Sequence, residues 1–392
     1  MRALICSRRT DSSLRQQLRL GLLDAAGRLK PPRPLPPTPG RILVIRPDHL
    51  GDLILAAPAL PALRAIYPNA RLTAWLGPWG EPVWRHHPSL DAVETCAFPG
   101  FTRAPKPHPL APYALARDQA RTLRGRFDLA INLRADFWWG ALAACWARIP
   151  VAGFDIPECR PFLAKAVPYQ PGLHETDQSL RLVEAIAGRP SGPLDIPSLW
   201  ADAELPPGLP TGAIAIHPGA GAQVKLWQDE RWAAVADELA AEAPIILTAG
   251  SDDEAAMAER IRARMSQPAQ IASGLSLPQL AALYAHCRLV LGPDNGPLHV
   301  ARSAGTPTVT LFGPTDPRLF GPRNGGPDEV LRLPWRCIPC GRLDYNRSEL
   351  TYHLCVRLIE SDQVLAAARR VLVAEVSRPS RGGRALSGKL PT

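Results

Sequence analysis

The stretch "LVLGPDNGPLHVARSAGTPTVTLFGPTDP", residues 289–317, decides the fold. Two apolar runs, 289–291 and 308–312, predict buried strands, and the segment between them is long enough for one short helix. The first strand is followed by small and polar residues: Asp294, Asn295, Gly296 and, one turn later, His299. Because ligands of parallel sheets bind beyond the carboxyl ends of the strands, these residues predict a binding site.

The same alternation of strand and helix runs along most of the chain. Apolar runs predict further strands at 41–45, 71–76, 128–133, 213–216 and 244–249. Helical patterns separate them, at 55–68, 229–243, 253–265, 278–286 and 297–304. Strands that alternate with helices predict a parallel sheet covered on both faces. The fold class is therefore α/β, with two similar units in tandem.

Proline-rich passages divide the chain into segments. "KPPRPLPPTPG" (30–40) precedes the first predicted strand, and a second such passage separates the two α/β units. We predict a basic N-terminal helix and Pro-rich arm at 1–40, an N-terminal domain at 41–195, a linker at 196–212, a C-terminal domain with a terminal helix at 213–378, and a flexible tail at 379–392.

Composition is typical of a soluble globular protein, and its positive charge has two interpretations. Of 392 residues, 46% are hydrophobic and 21% charged, and no apolar run reaches the ~20 residues of a membrane span. The first 30 residues show no apolar core of a secretory signal. The net charge of +9 suits a phosphorylated substrate, an acidic membrane surface or nucleic acid. An arginine-rich genomic composition explains the same charge without any partner.

The N-terminal segment predicts one basic helix with two interpretations. Leucines and arginines recur there at helical spacing: Leu14, Leu18, Leu22 and Leu29 with Arg15, Arg19 and Arg28. Such a helix can lie on a membrane surface, or it can pack on the body of the protein. The sequence gives the two interpretations equal support.

Three segments place polar residues and glycine where a strand gives way to a helix. They are "RPDHLGDLILAAPAL" (46–60), "HPGAGAQVKLW" (217–227) and the opening stretch. Helix N-termini favour phosphate. Taken alone each segment is a weak signal, because Asp52 could be an N-cap, Lys225 a surface lysine and His299 a core histidine. No GxxxxGK[ST], GxSxG or GxGxxG after the first strand is present, which disfavours P-loop ATPases, α/β-hydrolases and nicotinamide dehydrogenases.

Taken together, these segments resemble glycosyltransferase family 9, the lipopolysaccharide heptosyltransferase family. The carrying stretches are "LVIRPDHLGDLILAAPAL", "AIHPGAGAQVKLWQDERW", "GPDNGPLH" and "GTPTVTLFGPTDP", in family order over residues 41–375. The resemblance implies a GT-B fold, with two Rossmann-like parallel-sheet domains facing across a cleft. It assigns the acceptor to the N-terminal domain and the nucleotide sugar to the C-terminal one.

The resemblance also implies roles for single residues. Asp52 matches the family's proposed catalytic base, and Lys225 matches the lysine on the nucleotide phosphates. The remaining nucleotide-sugar candidates are His217, Gly219, Ala220, Gly221, Glu254 on the ribose, Asp294, Asn295, Gly296 and His299. At Ala220 and Gly221 some relatives carry paired Thr hydroxyls that touch phosphate, and here backbone N–H groups would replace them.

The chemistry of glycosyl transfer fits these residue types. A base must take the proton of the acceptor hydroxyl, and Asp52 can do so. Lys225 and helix N-termini at Gly219–Gly221 and at Gly296 can stabilise the leaving diphosphate. No DxD metal motif is needed, so we expect no cofactor to be required for catalysis.

The resemblance thus implies an inverting enzyme that moves heptose from ADP-heptose to a lipopolysaccharide inner-core acceptor. Candidate acceptor contacts are Arg46, His49 and Arg134, for which surface salt bridges are the alternative. We expect a cytoplasmic protein, with peripheral contact to the inner membrane, and no nucleic-acid partner. Alternatives are a relative that uses another nucleotide sugar or a protein acceptor, and a non-catalytic nucleotide-sugar-binding scaffold.

Three cysteines near the C-terminus predict either a structural metal site or reduced thiols. Cys337, Cys340 and Cys355 form a CxxC pair and a third thiol, with His353 close in sequence. This set suits a structural tetrahedral metal ion. A fourth cysteine is lacking, and His353 stands only two residues from Cys355, which is a tight spacing for both to bind one ion. Reduced thiols are therefore the alternative interpretation.

Overall fold

In the computed structural model, the chain is described over residues 14–102, 108, 110–192, 199–200, 203–323, 326–346 and 348–376, and at 14–16, 18 and 376 through the backbone alone. The predicted tail at 379–392 and part of the predicted linker at 196–212 lie outside the described residues. The described chain divides into two compact units, and the boundary lies between Gly192 and Leu199. The two units are described separately.

The N-terminal unit alternates helices and strands in the predicted manner. Its elements are α1 (Leu14–Leu29), β1 (Arg41–Arg46), α2 (Leu50–Ala56), α3 (Ala59–Ile66), β2 (Arg71–Leu76), α4 (Glu81–Trp84), β3 (Ala92–Thr95), α5 (Ala111–Leu123), β4 (Leu129–Asn132), α6 (Trp138–Trp146), β5 (Val151–Phe154), β6 (Lys165–Val167) and α7 (Glu175–Ala187). All six strands pair in parallel, in the order β3-β2-β1-β4-β5-β6.

The C-terminal unit repeats this plan. Its elements are β7 (Ile214–Ile216), α8 (Asp229–Leu239), β8 (Ile245–Ala249), α9 (Asp252–Arg262), β9 (Ala269–Ser273), α10 (Leu277–Ala285), β10 (Leu289–Pro293), α11 (Gly296–Ser303), β11 (Thr308–Leu311), α12 (Pro317–Phe320), β12 (Glu329–Leu331) and α13 (Ser361–Val376). The order β12-β11-β10-β7-β8-β9 is again parallel throughout. Each sheet has one topological switch point, between β1 and β4 and between β7 and β10, as in a Rossmann fold.

The strands form because their apolar runs are buried on both faces. Residues 42–45 of β1 and 289–291 of β10 are fully buried, as expected for central parallel strands between helices. Aromatic side chains fill the space beside each sheet. Trp75 packs edge-on to Phe98 at 5.0 Å between ring centroids, and Trp227 packs edge-on to Trp232 at 4.7 Å. Each unit therefore has a core of its own.

Several predicted elements differ from the observed ones. The single helix predicted over 55–68 is two helices, α2 and α3, with Pro58 at the N-cap of α3, because proline has no N–H to continue the first helix. Strands β3, β5, β6, β9 and β12 were missed, and four of these lie at sheet edges, where apolar patterns are short. Strand β10 extends beyond the predicted run to Pro293. It includes Gly292, where a side chain would not fit because a Cβ would lie 2.6 Å from the backbone carbonyl oxygen of His217.

The N-terminal helix α1 packs on the N-terminal unit. Leu23 is buried, and a Cβ on Gly27 would overlap Pro161 of the short 3-10 helix Arg160–Phe162. At the end of the helix, the Cys145 thiol contacts the carbonyl oxygen of Lys30 at 3.4 Å. Helix α1 therefore packs on the body of the protein, which is one of its two predicted arrangements, although Leu22 and Leu29 are 69% and 84% exposed. Within the described residues, no helix is long and apolar enough to cross a bilayer.

Candidate functional site

The candidate nucleotide site lies at the switch point of the C-terminal sheet. Strands β7 and β10 are neighbours, and Leu291 of β10 stands opposite Ile216 of β7. His217 comes directly after β7, and Asp294 and Asn295 come directly after β10. The ends of the two strands therefore bring together the second motif and the opening motif of the sequence.

A buried ion pair joins the two motifs. The Lys225 ammonium lies 2.6 Å from Oδ2 of Asp294 and also donates to the Asp294 carbonyl oxygen at 3.1 Å. Thr315 donates to the same carboxylate oxygen at 2.6 Å. Burial alone would raise the pKa of Asp294, but the charges of Lys225 and His299 hold that pKa below its ordinary value. Asp294 is therefore an anion that fixes the position of the Lys225 charge.

His299 completes this cluster on the first turn of α11. Its Nε2 lies 3.9 Å from Oδ1 of Asp294, and the imidazole is buried. Asn295 caps the helix, because its Oδ1 accepts from the backbone N–H of Leu298 at 3.0 Å. Helix α11 begins at Gly296, where the sequence predicted a helix N-terminus.

A second pair holds the loop after β7. His217 is buried, with its Nδ1 3.1 Å from the Thr248 hydroxyl and its Nε2 3.5 Å from Oε2 of Glu254. The hydrogen bond with His217 is the main cause that lowers the pKa of Glu254; burial opposes it, and the charge of His217 and the backbone N–H of Gly250 assist it. Glu254 thus stays ionised at the edge of the site.

Gly219 packs closely against the side chain of Glu254. A Cβ on Gly219 would overlap the Glu254 carboxylate, and the Gly219 carbonyl oxygen accepts from the Asn295 side chain at 2.7 Å. Ala220 is partly exposed and Gly221 exposed beyond this contact. The predicted helix N-terminus at 219–221 is wrong, because the loop leads into one turn of 3-10 helix, Gln223–Lys225. That turn delivers Lys225 to Asp294.

The N-terminal unit carries the candidate base, Asp52, on α2. The N-cap of α2 is His49, whose side chain makes no capping hydrogen bond, and Asp52 is the third residue of the helix. The N-cap alternative for Asp52 is therefore wrong. Asp52 is partly buried in the first turn, where a carboxylate is favoured by the helix dipole.

The acceptor candidates differ in how accessible they are. Arg46 is 2% exposed and its guanidinium lies 2.6 Å from Asp48 and 3.3 Å from Glu175. Arg134 donates to Asp48 and pairs with Asp136 at 2.7 Å. The exposed imidazole of His49 lies 5.1 Å from the ring of Trp79. Arg46 and Arg134 are thus both held in an ion-pair network, with side chains that are 3% and 12% exposed, while His49 is exposed.

The centre of that network, Asp48, was not identified from the sequence. It is 1% exposed and pairs with the guanidinium groups of Arg46 and Arg134. Thr315 and Thr248 were missed in the same way, since each is recognisable only through its partner. In the sequence, Asp48 is marked by its position directly after "RP" and before the turn that carries Asp52.

We expect Asp48→Ala to unfold the N-terminal unit more easily. Removing the carboxylate leaves two guanidinium groups without their shared partner, and breaking a buried ion pair typically costs about 3–5 kcal/mol. Denaturant unfolding followed by tryptophan fluorescence measures the loss. The matched control is Asp118→Ala, which removes an exposed pair with Arg121 and should cost less than about 1 kcal/mol. Equal stability of the two variants would show that the network contributes nothing.

The cysteines do not form a ready metal site. Cys337 and Cys340 are exposed and Cys355 is buried, and the Cys340 sulfur lies 3.6 Å from the Tyr345 hydroxyl. The Tyr345 ring stacks on His353 at 3.8 Å between centroids. Among the described residues, no three His, Cys, Asp or Glu side chains converge closely enough to hold a metal ion. The side chains as placed therefore do not fit a metal ion.

Two Rossmann-like parallel sheets, one with a buried Lys–Asp pair at its switch point, are typical of GT-B glycosyltransferases. The model of glycosyltransferase family 9 (heptosyltransferase) matches residues 116–342, more than half of the chain, and the chain belongs to this family. The fold prediction of two parallel-sheet domains is confirmed.

Curated proteins and solved structures agree with this assignment. The chain is 23% identical over 359 residues to lipopolysaccharide heptosyltransferase 3 of Escherichia coli K12, covering 85% of this chain and 98% of that protein. It is 27% identical over 318 residues to lipopolysaccharide heptosyltransferase 1 of Pseudomonas aeruginosa, covering 76% and 86%. The solved E. coli ADP-heptose lps heptosyltransferase II shares the fold with a TM-score of 0.64, at 21% identity over 86% of this chain and 100% of that one.

Proposed function

We propose that the protein is an inverting glycosyltransferase that moves heptose from ADP-heptose to the inner core of lipopolysaccharide. The observation that carries the proposal is the Lys225–Asp294 pair at the switch point. Family membership supports the reaction class, and the names of the relatives support the donor sugar and the acceptor.

The C-terminal residues suit a leaving diphosphate. An ammonium has three N–H donors, and Asp294 uses two of them, so Lys225 keeps donor capacity for a phosphate oxygen. The N-terminus of α11 adds a partial positive charge at Gly296. Negative charge grows on the diphosphate as the bond to the sugar breaks, so both groups stabilise the transition state more than the bound donor.

On the N-terminal unit, we propose Asp52 as the base. A carboxylate is a weak base. Such a weak base suits a reaction in which the acceptor proton leaves late, once the sugar carbon is electron-poor. We propose that His49 and Arg134 contact the acceptor, and that Arg46 acts behind them through Asp48.

Two other functions make different predictions. A relative with another donor would turn over a different nucleotide sugar, and one with a protein acceptor would modify a protein. The departure from the family pattern at Ala220 and Gly221 bears on the identity of the nucleotide sugar. A non-catalytic scaffold would bind nucleotide sugar without turnover. A panel of nucleotide sugars against core and protein acceptors, read by mass spectrometry, separates all three.

We propose that catalysis needs no divalent metal, because Lys225 and the α11 N-terminus supply the positive charge. Transfer should therefore persist in EDTA at an unchanged rate. Loss of activity in EDTA with recovery in Mg²⁺ would contradict this mechanism. Elemental analysis of the purified protein tests Cys337, Cys340 and Cys355 separately: stoichiometric metal that a Cys340→Ser variant lacks would establish a structural site there.

We also propose a cytoplasmic location with peripheral contact to the inner membrane. The net charge of +9 and the exposed leucines of α1 support this proposal. No contact with nucleic acid is proposed.

A further inference from the structure

A basic depression lies on the N-terminal unit, away from the residues assigned to catalysis. It has a volume of about 200 Å³ and is lined by Lys30, Arg117, Ala120, Arg121, Arg124 and Trp146. We call it the basic pocket. Four of the six lining residues are cations, and no acidic side chain is among them. A single water occupies about 30 Å³, so the pocket has room for a phosphate group with some hydration.

The last turns of α5 and its C-cap supply three of these cations. Arg117 and Arg121 stand at positions i and i+4 on one face of α5, and Arg124 is the C-cap residue that directly follows the helix. All three are exposed. Asp118 of the same helix pairs with Arg121 at 3.0 Å and offsets one of these charges. The C-terminal end of α5, where the helix dipole favours cations, therefore keeps a net positive charge.

Lys30 and Trp146 close the other side of the pocket. The Lys30 ammonium lies 5.5 Å from the centre of the Trp146 ring, a cation–π distance. The carbonyl of Lys30 is fixed by the Cys145 thiol at the end of α6. The pocket is thus assembled from three elements, the end of α1, α5 and the end of α6, rather than from one helix.

An exposed apolar ridge adjoins the basic pocket. Leu29 directly precedes Lys30, and Leu22 lies two turns earlier on the same face of α1, about 10 Å along the helix. These side chains are 84% and 69% exposed, while Leu23 and Gly27 pack on the unit from another face of the helix. Apolar side chains beside basic ones and a tryptophan are typical of a surface that rests in a headgroup layer.

We infer that the basic pocket binds the phosphate of an anionic phospholipid headgroup while Leu22 and Leu29 enter the bilayer interface. Charge complementarity favours an anionic occupant of the basic pocket. The exposed leucines favour a lipid over a soluble phosphate, because a soluble phosphate would leave them in water. This inference rests on the proposed membrane contact and gives it a place, on the outer face of α1 and α5. It makes no use of Asp52, Lys225 or the acceptor candidates.

Vesicle co-sedimentation of the full chain tests the inference. The triple variant Arg117→Gln/Arg121→Gln/Arg124→Gln should bind phosphatidylglycerol-containing vesicles about 100-fold more weakly, because each basic side chain near the surface contributes about a factor of five. The matched control Arg262→Gln/Arg369→Gln/Arg370→Gln removes the same net charge from exposed arginines of the C-terminal unit and should bind as the wild type does.

The two leucines are tested with a separate variant. Leu22→Ser/Leu29→Ser should keep its melting temperature, since both side chains are exposed, and should lose binding even where the arginines are intact. Phosphatidylcholine vesicles should bind neither wild type nor variants. Equal binding of the triple variant and the charge-matched control would overturn the inference, as would tight binding of soluble glycerol phosphate at the pocket with no vesicle binding.

Transfer assays separate this inference from the proposed function. With a detergent-free, deacylated acceptor, the triple variant should keep wild-type kcat and KM, because the basic pocket takes no part in the chemistry. If the wild type shows no transfer but vesicle binding still depends on the three arginines, the proposed function fails and the pocket stands. If transfer to the soluble acceptor falls with the arginines, the pocket belongs to the acceptor site and the membrane inference is wrong.

Discussion

Asp52→Asn is expected to abolish turnover while leaving the protein folded. The amide keeps the shape of the carboxylate but cannot accept the acceptor proton, and removing a general base typically costs ~100- to 10,000-fold in rate. Asp52 lies in the first turn of α2 and is not its N-cap, so the substitution removes a helix-dipole contribution of about 0.3–1 kcal/mol. Steady-state kinetics, melting temperature and donor calorimetry together measure the effect.

The matched control for this variant is Asp177→Asn. Asp177 is also the third residue of a helix in the same unit, α7, and is also partly buried. The control should reproduce the small stability loss of Asp52→Asn and keep wild-type turnover. If both variants turn over at the wild-type rate, Asp52 is not the base. If both lose activity equally, the effect is structural.

Lys225→Ala is expected to cut kcat by ~100-fold or more. The ammonium interacts most strongly with the charge that develops on the leaving diphosphate, so its loss should fall on kcat more than on KM. The same substitution leaves the buried Asp294 carboxylate without its partner, which lowers stability as well. Kinetics and thermal unfolding must therefore be measured on the same preparations.

The double variant Lys225→Ala/Asp294→Asn separates these two effects. It removes both charges, and the neutral amide can still accept from Thr315. Its melting temperature should recover toward the wild type while turnover stays low. Lys165→Ala, at an exposed lysine of β6, is the control for loss of one lysine and should behave as the wild type. Recovery of turnover together with stability would remove Lys225 from the transition state.

Much of the fold was predictable because its signals are local. Continuous apolar runs mark the central strands β1, β2, β7, β8, β10 and β11 within one or two residues of their observed bounds. Strands at sheet edges, such as β3 and β12, are short and only partly buried, so their apolar pattern is weak. The predicted strand ended at Leu291 and not at Pro293, because Gly292 interrupts the apolar run that marks β10.

The candidate site was predictable where residues of one motif share a strand end. Asp294, Asn295 and His299 follow from the opening stretch alone. The partners of these residues were not predictable, because they come from distant segments. Thr315 reaches Asp294 across 21 positions, and Arg134 reaches Asp48 across 86. The burial of Arg46 follows from such a network and not from its own neighbours in the sequence.

The basic pocket illustrates the same limit. The arginine spacing on α5 is visible in the sequence, but Lys30 and Trp146 join it only through the packing of α1 and α6. The sequence left the two interpretations of the N-terminal helix open because both need an apolar face. In the structure, α1 buries one face against the unit and exposes another.

The central claim is tested most directly by incubating the wild-type protein with ADP-heptose and a heptose-deficient lipopolysaccharide core. Mass spectrometry of the acceptor and NMR of its new anomeric centre are the readouts. We predict that one heptose is added per acceptor, that ADP is released in equal amount, and that the anomeric configuration is inverted relative to the donor. An unmodified acceptor, a retained configuration, or addition of a different sugar from another nucleotide donor would contradict the account.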